Sequence, residues 1–108
     1  MHPASLGEFE ELVLLTVAVL NGRGYGVGIA EEIESRTGRP ASLGAVQIVL
    51  KRLEEKQLVA SEFGEATAVR GGKRKRFYRI TAAGSHTLAF IREQRNALWD
   101  AIPKPAFA

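Results

Sequence analysis

The 108-residue sequence predicts a mainly α fold that carries one small β-hairpin. Three observations predict it. Apolar residues recur at helical spacing in four separate stretches. Asn21-Gly22 and Thr37-Gly38-Arg39-Pro40 cut the first three stretches apart. Between the third and the fourth lie two short runs of β-favouring residues, joined by a glycine-containing connection. An apolar share of 45% and the absence of low-complexity tracts fit a folded chain, and the length suits one domain with a modest core.

The spacing predicts a first helix over residues 6–21, with Phe9, Leu12, Val13, Thr16 and Leu20 on one face. Glu8, Glu10 and Glu11 fall in its first turns, where the helix dipole favours acids. Val17 and Val19 offer a strand as the competing reading, but no hairpin partner stands nearby. Glycines alternate through GRGYGVG at positions 22, 24, 26 and 28. That spacing matches neither the dinucleotide nor the nucleotide-triphosphate phosphate loop, so it reads as a turn. A second helix follows over residues 25–37, with Val27, Ala30 and Ile33 inward and Glu31, Glu32 and Glu34 outward.

The third stretch, SLGAVQIVLKRLEE at residues 42–55, is the most informative. Leu43, Val46, Val49, Leu50 and Leu53 share one helical face, while Gly44, Gln47, Ile48, Lys51, Arg52 and Glu55 share the other. Ser42 is the expected N-cap, and Pro40 discourages an earlier start. An ordinary amphipathic helix with a solvated face has this pattern, and so does a helix that reads DNA. The major groove admits a helix and shows distinct donors and acceptors on each base pair. Gln47 can pair with an adenine edge, and Lys51 or Arg52 can reach guanine or phosphate. Gly44 would let the helix N-terminus approach a phosphate. Ile48 either packs on a neighbouring element, the preferred reading, or meets a thymine methyl. Two helices joined by a tight turn, the second with a polar outer face, form a helix-turn-helix.

Residues 58–63 and 74–80 read as the strands of a hairpin beside this helix, completing a winged helix-turn-helix. The second arm carries Arg70, Lys73, Arg74, Lys75, Arg76 and Arg79 without an acid. Such a cluster repels itself and fits an anionic partner, with phosphate contact by Lys73, Arg74, Lys75 and Arg76 as the functional reading. A solvated basic loop is the plain alternative. Strand alternation puts Lys75, Phe77 and Arg79 on one side and Arg76, Tyr78 and Ile80 on the other.

A last helix begins after Thr81, its expected N-cap, and ends before Pro103 and Pro105. Leu88, Ile91, Leu98, Trp99 and Ile102 form one apolar stripe, and Phe90, Ala97 and Ala101 a second. One stripe can cover its own domain; a second copy of the chain is the expected cover for the other. The organisation expected is therefore a winged helix-turn-helix DNA-binding domain at residues 1–80 and a C-terminal dimerisation helix with its tail at 81–108.

Charge is uneven. Residues 1–35 hold one base against six acids, a net of −5, while residues 36–80 hold eleven bases against four acids, a net of +7. A localised basic face in a chain of net charge +3 points to a polyanion as partner. There is no cysteine, which removes disulfide, thiol and cysteine–zinc chemistry. His2 and His86 match no metal-ligand spacing, and no nucleophile–base set or carboxylate pair suggests an enzyme, so neither metal nor cofactor is expected. The longest apolar run, residues 12–20, is too short to cross a bilayer. The opening MHPASLGEFEE lacks a basic start followed by an apolar region, so a cytoplasmic location is expected.

Two blocks, SLGAVQIVLKRLEEKQLV at 42–59 and GGKRKRFYRITAAG at 71–84, together with a Leu- and Val-rich first helix and Gly24-Tyr25-Gly26, make the chain resemble the PadR-like family of bacterial winged-helix transcriptional regulators over residues 5–100. The resemblance implies a homodimer built through the C-terminal helix, one recognition helix per subunit, and repression of nearby genes. Some relatives bind flat aromatic molecules at the dimer interface, which would make Trp99 an effector contact; sealing the dimer or its own core is the plainer role. Where Gln47 stands, members commonly have a tyrosine linked to DNA contact, usually followed by proline at the place of Ile48. The leading expectation is a dimeric, sequence-specific repressor on an inverted repeat. The alternative is a protein-interaction module on the same scaffold without duplex binding.

Overall fold

The computed structural model describes residues 5–64 and 74–104 of the chain. Six elements follow one another: α1 (Glu8–Leu20), α2 (Gly26–Thr37), α3 (Leu43–Glu55), β1 (Val59–Phe63), β2 (Arg76–Ile80) and α4 (Ala82–Ala101). β1 and β2 pair antiparallel, with Val59 opposite Ile80 and Phe63 opposite Arg76. Gly24 bridges the other edge of β2, its carbonyl accepting the Tyr78 N–H at 2.8 Å. The mainly α winged helix expected from the sequence is therefore the fold. The hairpin connection, with Arg70 and Lys73, lies outside the described residues, as do His2 and Pro105.

Three helices enclose the core. Val13, Leu14 and Val17 of α1, Ile29 and Ile33 of α2, and Val46, Leu50 and Leu53 of α3 are buried against one another, and Leu58 and Val59 close the cluster. Each such side chain contributes about 1.5–3 kcal/mol through removal from water. Thr16 is buried among them, its hydroxyl donating to the Leu12 carbonyl at 2.7 Å.

Two inward assignments need correction. Val27 is 41% exposed, because the phase set by Ile29, Ala30 and Ile33 leaves it on the shoulder of α2. Leu43 is 40% exposed. It sits in the first turn of α3, at the edge of the buried face, against Gly26; a Cβ on that glycine would stand 2.9 Å from Leu43 Cδ1.

The breaks have local causes. Asn21 (φ 49°) and Gly38 (φ 74°) end α1 and α2 in the left-handed conformation. α3 ends the same way at Gln57 (φ 62°), where the Leu58 N–H reaches back to the Leu53 carbonyl at 2.9 Å. Thr81 then fixes the departure of α4. Its hydroxyl accepts the Gly84 N–H at 3.0 Å and donates to the Gln57 carbonyl at 2.8 Å, while its own N–H donates to the Leu58 carbonyl at 3.0 Å. Gly84 lies so close beneath Leu58 that a Cβ there would overlap the Leu58 carbonyl oxygen and crowd Ile80.

The acids of α1 have partners on three other segments. Glu8 pairs with Arg39 at 2.7 Å, Glu10 with Lys56 at 3.2 Å and Glu11 with Arg95 at 2.7 Å. Glu10 also accepts the Gly7 N–H at 2.9 Å, capping the helix. That backbone hydrogen bond is the largest cause of a carboxyl pKa below its ordinary value; the Lys56 ammonium and the charge of Arg52 add to it, and partial burial opposes them.

Two outcomes follow from these contacts. Gly84→Ala should cost about 2 kcal/mol or more, since backbone overlap cannot relax through a rotamer. Thermal denaturation should record it as a loss of roughly 10 °C. Because Glu10 has a depressed pKa in the folded state, its stabilisation is present above the unfolded value of about 4.5 and is lost as pH falls through the folded value. Glu10→Gln should therefore be less stable than the parent by about 1 kcal/mol at pH 7, with the gap closing as pH falls below the unfolded value of about 4.5, as read by urea denaturation along a falling pH series.

Candidate nucleic-acid interface

Burial of Val46, Val49, Leu50 and Leu53 fixes the rotation of α3 about its axis. The opposite strip then faces out: Gly44, Gln47, Ile48, Lys51, Arg52 and Glu55 are all exposed. Ser42 caps the helix, accepting the Ala45 N–H at 3.1 Å. A Cβ on Gly44 would meet no atom within 4 Å, so this glycine keeps the first turn bare without serving internal packing. Ile48 is 57% exposed. The preference for Ile48 packing on a neighbouring element is not met among the described residues, where no element covers the middle of this strip. The two flanks differ. Gln47 lies beside the start of α2, with its Cγ 3.7 Å from where a Gly26 Cβ would stand. Arg52 lies on the opposite flank, where its charge is felt by Glu10 of α1.

Across from the Gln47 flank stands the hairpin. Ser61 donates to the Glu54 carboxylate at 2.5 Å, tying β1 to α3. Pairing places Val59, Ser61 and Phe63 opposite Ile80, Tyr78 and Arg76 on one side of the ribbon. Tyr78 and Ile80 pack on the core, and burial raises the Tyr78 hydroxyl pKa. Lys75, Phe77 and Arg79 take the other side, as alternation predicts. There Tyr25 meets the Phe77 ring edge-on at 5.7 Å between centroids, and Lys75 Nζ stands 4.3 Å from the Tyr25 ring centroid. Tyr25 thus couples the start of α2 to β2. No local pattern in the sequence points to this role for Tyr25. Between these elements runs a cleft of about 370 Å³ lined by Tyr25, Leu43, Gln47, Lys75, Arg76 and Tyr78.

The charges sort themselves clearly. Among the described residues, four ion pairs form, and they engage Arg36, Arg39, Lys56 and Arg95. Lys51, Arg52, Arg74, Lys75, Arg76 and Arg79 take part in none of them. The described candidate cations of α3 and the wing are thus not spent on internal carboxylates, which is also true of Arg23, Arg92 and Lys104 elsewhere; Lys73 lies outside the described residues.

α4 divides into two halves. Gly84 and Thr87 are buried, Leu88 packs against the core, and Ile91 is half-buried. Beyond them every described residue is exposed, with Leu98 at 72% and Trp99 at 61%, and Phe90 and Ile102 are exposed too. The stripe running from Leu88 to Ile102 is thus split along its length: its first part covers the domain and its last part does not. Trp99 borders a cleft of about 740 Å³ between α1 and α4, together with Glu11, Leu15, Leu88, Arg92 and Asn96. Among the described residues, no group of three or more side chains could hold a metal, and no helix is long and apolar enough to cross a membrane.

A three-helix core, a two-stranded wing and an outward polar strip on the third helix define a winged helix of the DNA-binding regulator class. A family model described as the transcriptional regulator PadR-like family matches residues 14–90, and the chain belongs to that family of transcriptional regulators, not of enzymes. Solved structures share the fold. A PadR family transcription regulator from hypervirulent Clostridium difficile is 23% identical, with a TM-score of 0.73 over 87% of this chain and 93% of its own. A PadR-like transcription factor from Bacteroides fragilis is 20% identical, with a TM-score of 0.70 over 85% and 84%. A PadR family regulator from Eggerthella lenta is 26% identical, with a TM-score of 0.66 over 86% and 80%. The comparison with curated proteins gave no match.

Proposed function

We propose that this regulator is a homodimeric repressor that binds an inverted-repeat operator through α3 and its wing. The observation that carries the reading is the juxtaposition of the outward strip of α3 with the cations of β2 across the Gln47 cleft. Ser42 and Gly44 bring the bare N-terminal turn of α3 to a phosphate. Gln47 reads a base edge, Ile48 meets a thymine methyl, and Lys51 and Arg52 reach guanine or the backbone. Lys73, Arg74, Lys75 and Arg76 neutralise phosphates beside the groove. Residues 1–80 serve as the DNA-binding part and 81–108 as the dimerisation part.

The exposed half of α4 supports the dimer. Leu98, Trp99 and Ile102 present apolar surface outside the domain along the stripe begun by Leu88 and Ile91, with Phe90 exposed on the second stripe, and a second copy would cover it. Two recognition helices would then enter successive major grooves about 34 Å apart. The cleft beside Trp99 is the place for a small aromatic effector, which would act by binding unequally to two spacings of the heads. A protein that works on DNA in this way operates in the cytoplasm.

Selection of bound sequences from a random duplex pool should return paired half-sites with a fixed separation. Changing Lys75 and Arg76 together to alanine should lower the slope of log affinity against log salt by up to about 1.8, near 0.9 for each phosphate released. An unchanged slope would remove the wing from the interface. In sedimentation, the parent should run as a dimer and Leu98→Asp with Trp99→Asp as a folded monomer, since neither side chain belongs to the core. A dimer that survives this pair would relocate the interface.

A further inference from the structure

Phe63 ends β1 with half of its surface, 52%, exposed to solvent. Two guanidinium groups bear on its ring. Arg76, its partner across the hairpin, stands 4.8 Å from the ring centroid, and Arg74 stands 5.6 Å from it. The side of the ribbon that carries this group is the side that packs on the core at Tyr78 and Ile80 and is tied to α3 at Ser61. We propose that Phe63 is a positioning residue of the wing, holding Arg74 and Arg76 on its ring in the orientation in which they meet a DNA backbone. The proposal rests on the reading of the wing as a phosphate contact.

The chemistry favours this role. A guanidinium laid on a ring uses its face and leaves its in-plane N–H donors free for oxygen acceptors. Arg74 spends one donor, Nε, on the Gly64 carbonyl at 2.9 Å, which fixes the fork of its two remaining nitrogens. Neither arginine takes part in an ion pair among the described residues. Two long side chains that would otherwise sample many rotamers are thus ordered before any ligand arrives, so less entropy is lost on binding. Core packing does not account for the ring, since Phe63 lies beyond the buried cluster. Leucine at this position keeps apolar bulk but has no π-face; tyrosine keeps the face.

The test uses the full chain and a fluorescein-labelled duplex with a randomised core, read by fluorescence anisotropy. Phe63→Leu should weaken binding by up to roughly five- to thirtyfold, on the scale of losing two exposed cation–π contacts, while Phe63→Tyr restores parental affinity. In a background with Arg74→Ala and Arg76→Ala, Phe63→Leu should have no further effect. An equal loss from Phe63→Leu in both backgrounds, or failure of tyrosine to restore binding, would overturn the positioning role. So would unchanged affinity in Phe63→Leu while the arginine pair weakens binding, and in that case the wing reading stands alone. Unchanged affinity in the arginine pair itself, or a parent that does not bind the duplex, would overturn both readings. Thermal denaturation of each variant should stay within a few degrees of the parent; a collapse of Phe63→Leu would show the ring to be part of the fold and would equally overturn the proposal.

Discussion

The packing of one side of α3 against α1 and α2 is the constraint from which the surface follows. Val46, Leu50 and Leu53 are almost wholly buried, and turning the helix to hide any of Gly44, Ile48 or Lys51 would bring at least one of these into water. Such a rotation is expensive because a close-packed core has no alternative set of holes for the same side chains. The outward strip is therefore as well determined as the core. The wing inherits this order: β1 leaves α3 through a tight left-handed turn at Gln57, and Ser61 returns to Glu54.

A second fixed point lies at the junction of Gln57, Leu58, Thr81 and Gly84. There the end of α3, the close of the hairpin and the start of α4 share three hydrogen bonds and one contact that only glycine permits. The direction of α4 is thereby set from the same place as the ribbon. The half of α4 that departs from the domain does so as a continuous helix, so its exposed apolar residues are presented on a rod and not on a loop.

The sequence carried the elements well because each has a local cause. Asn21-Gly22, Gly38, Ser42 and Thr81 act within a turn of where they stand, and all four mark ends that the structure has. The outward strip of α3 was legible for the same reason, since its periodicity is regular. What was not legible depends on distant neighbours. Val27 and Leu43 are apolar and lie at helical spacing, yet each falls at the margin of a face, where burial is decided by another element. Tyr25 meets Phe77 across about fifty positions of sequence, and no local pattern announces that meeting. Phe63 looked like an ordinary strand residue until the register placed Arg76 across from it. The preference for packing Ile48 did not hold among the described residues, because an apolar residue in a polar strip suggests a cover that they do not supply.

The three carboxylates at the start of α1 have an effect beyond tying segments together. Glu8, Glu10 and Glu11 cancel Arg39, Lys56 and Arg95, bases that would otherwise spread positive potential round the molecule. With those paired, Lys51, Arg52, Arg74, Lys75, Arg76 and Arg79 on α3 and the wing remain outside any ion pair among the described residues, although the net charge is only +3. At low ionic strength, a cluster of unpaired cations on one part of the surface is drawn toward a polyanion ahead of the paired regions. The molecule would be turned to face its target while still at a distance, so that fewer encounters begin with the wrong side.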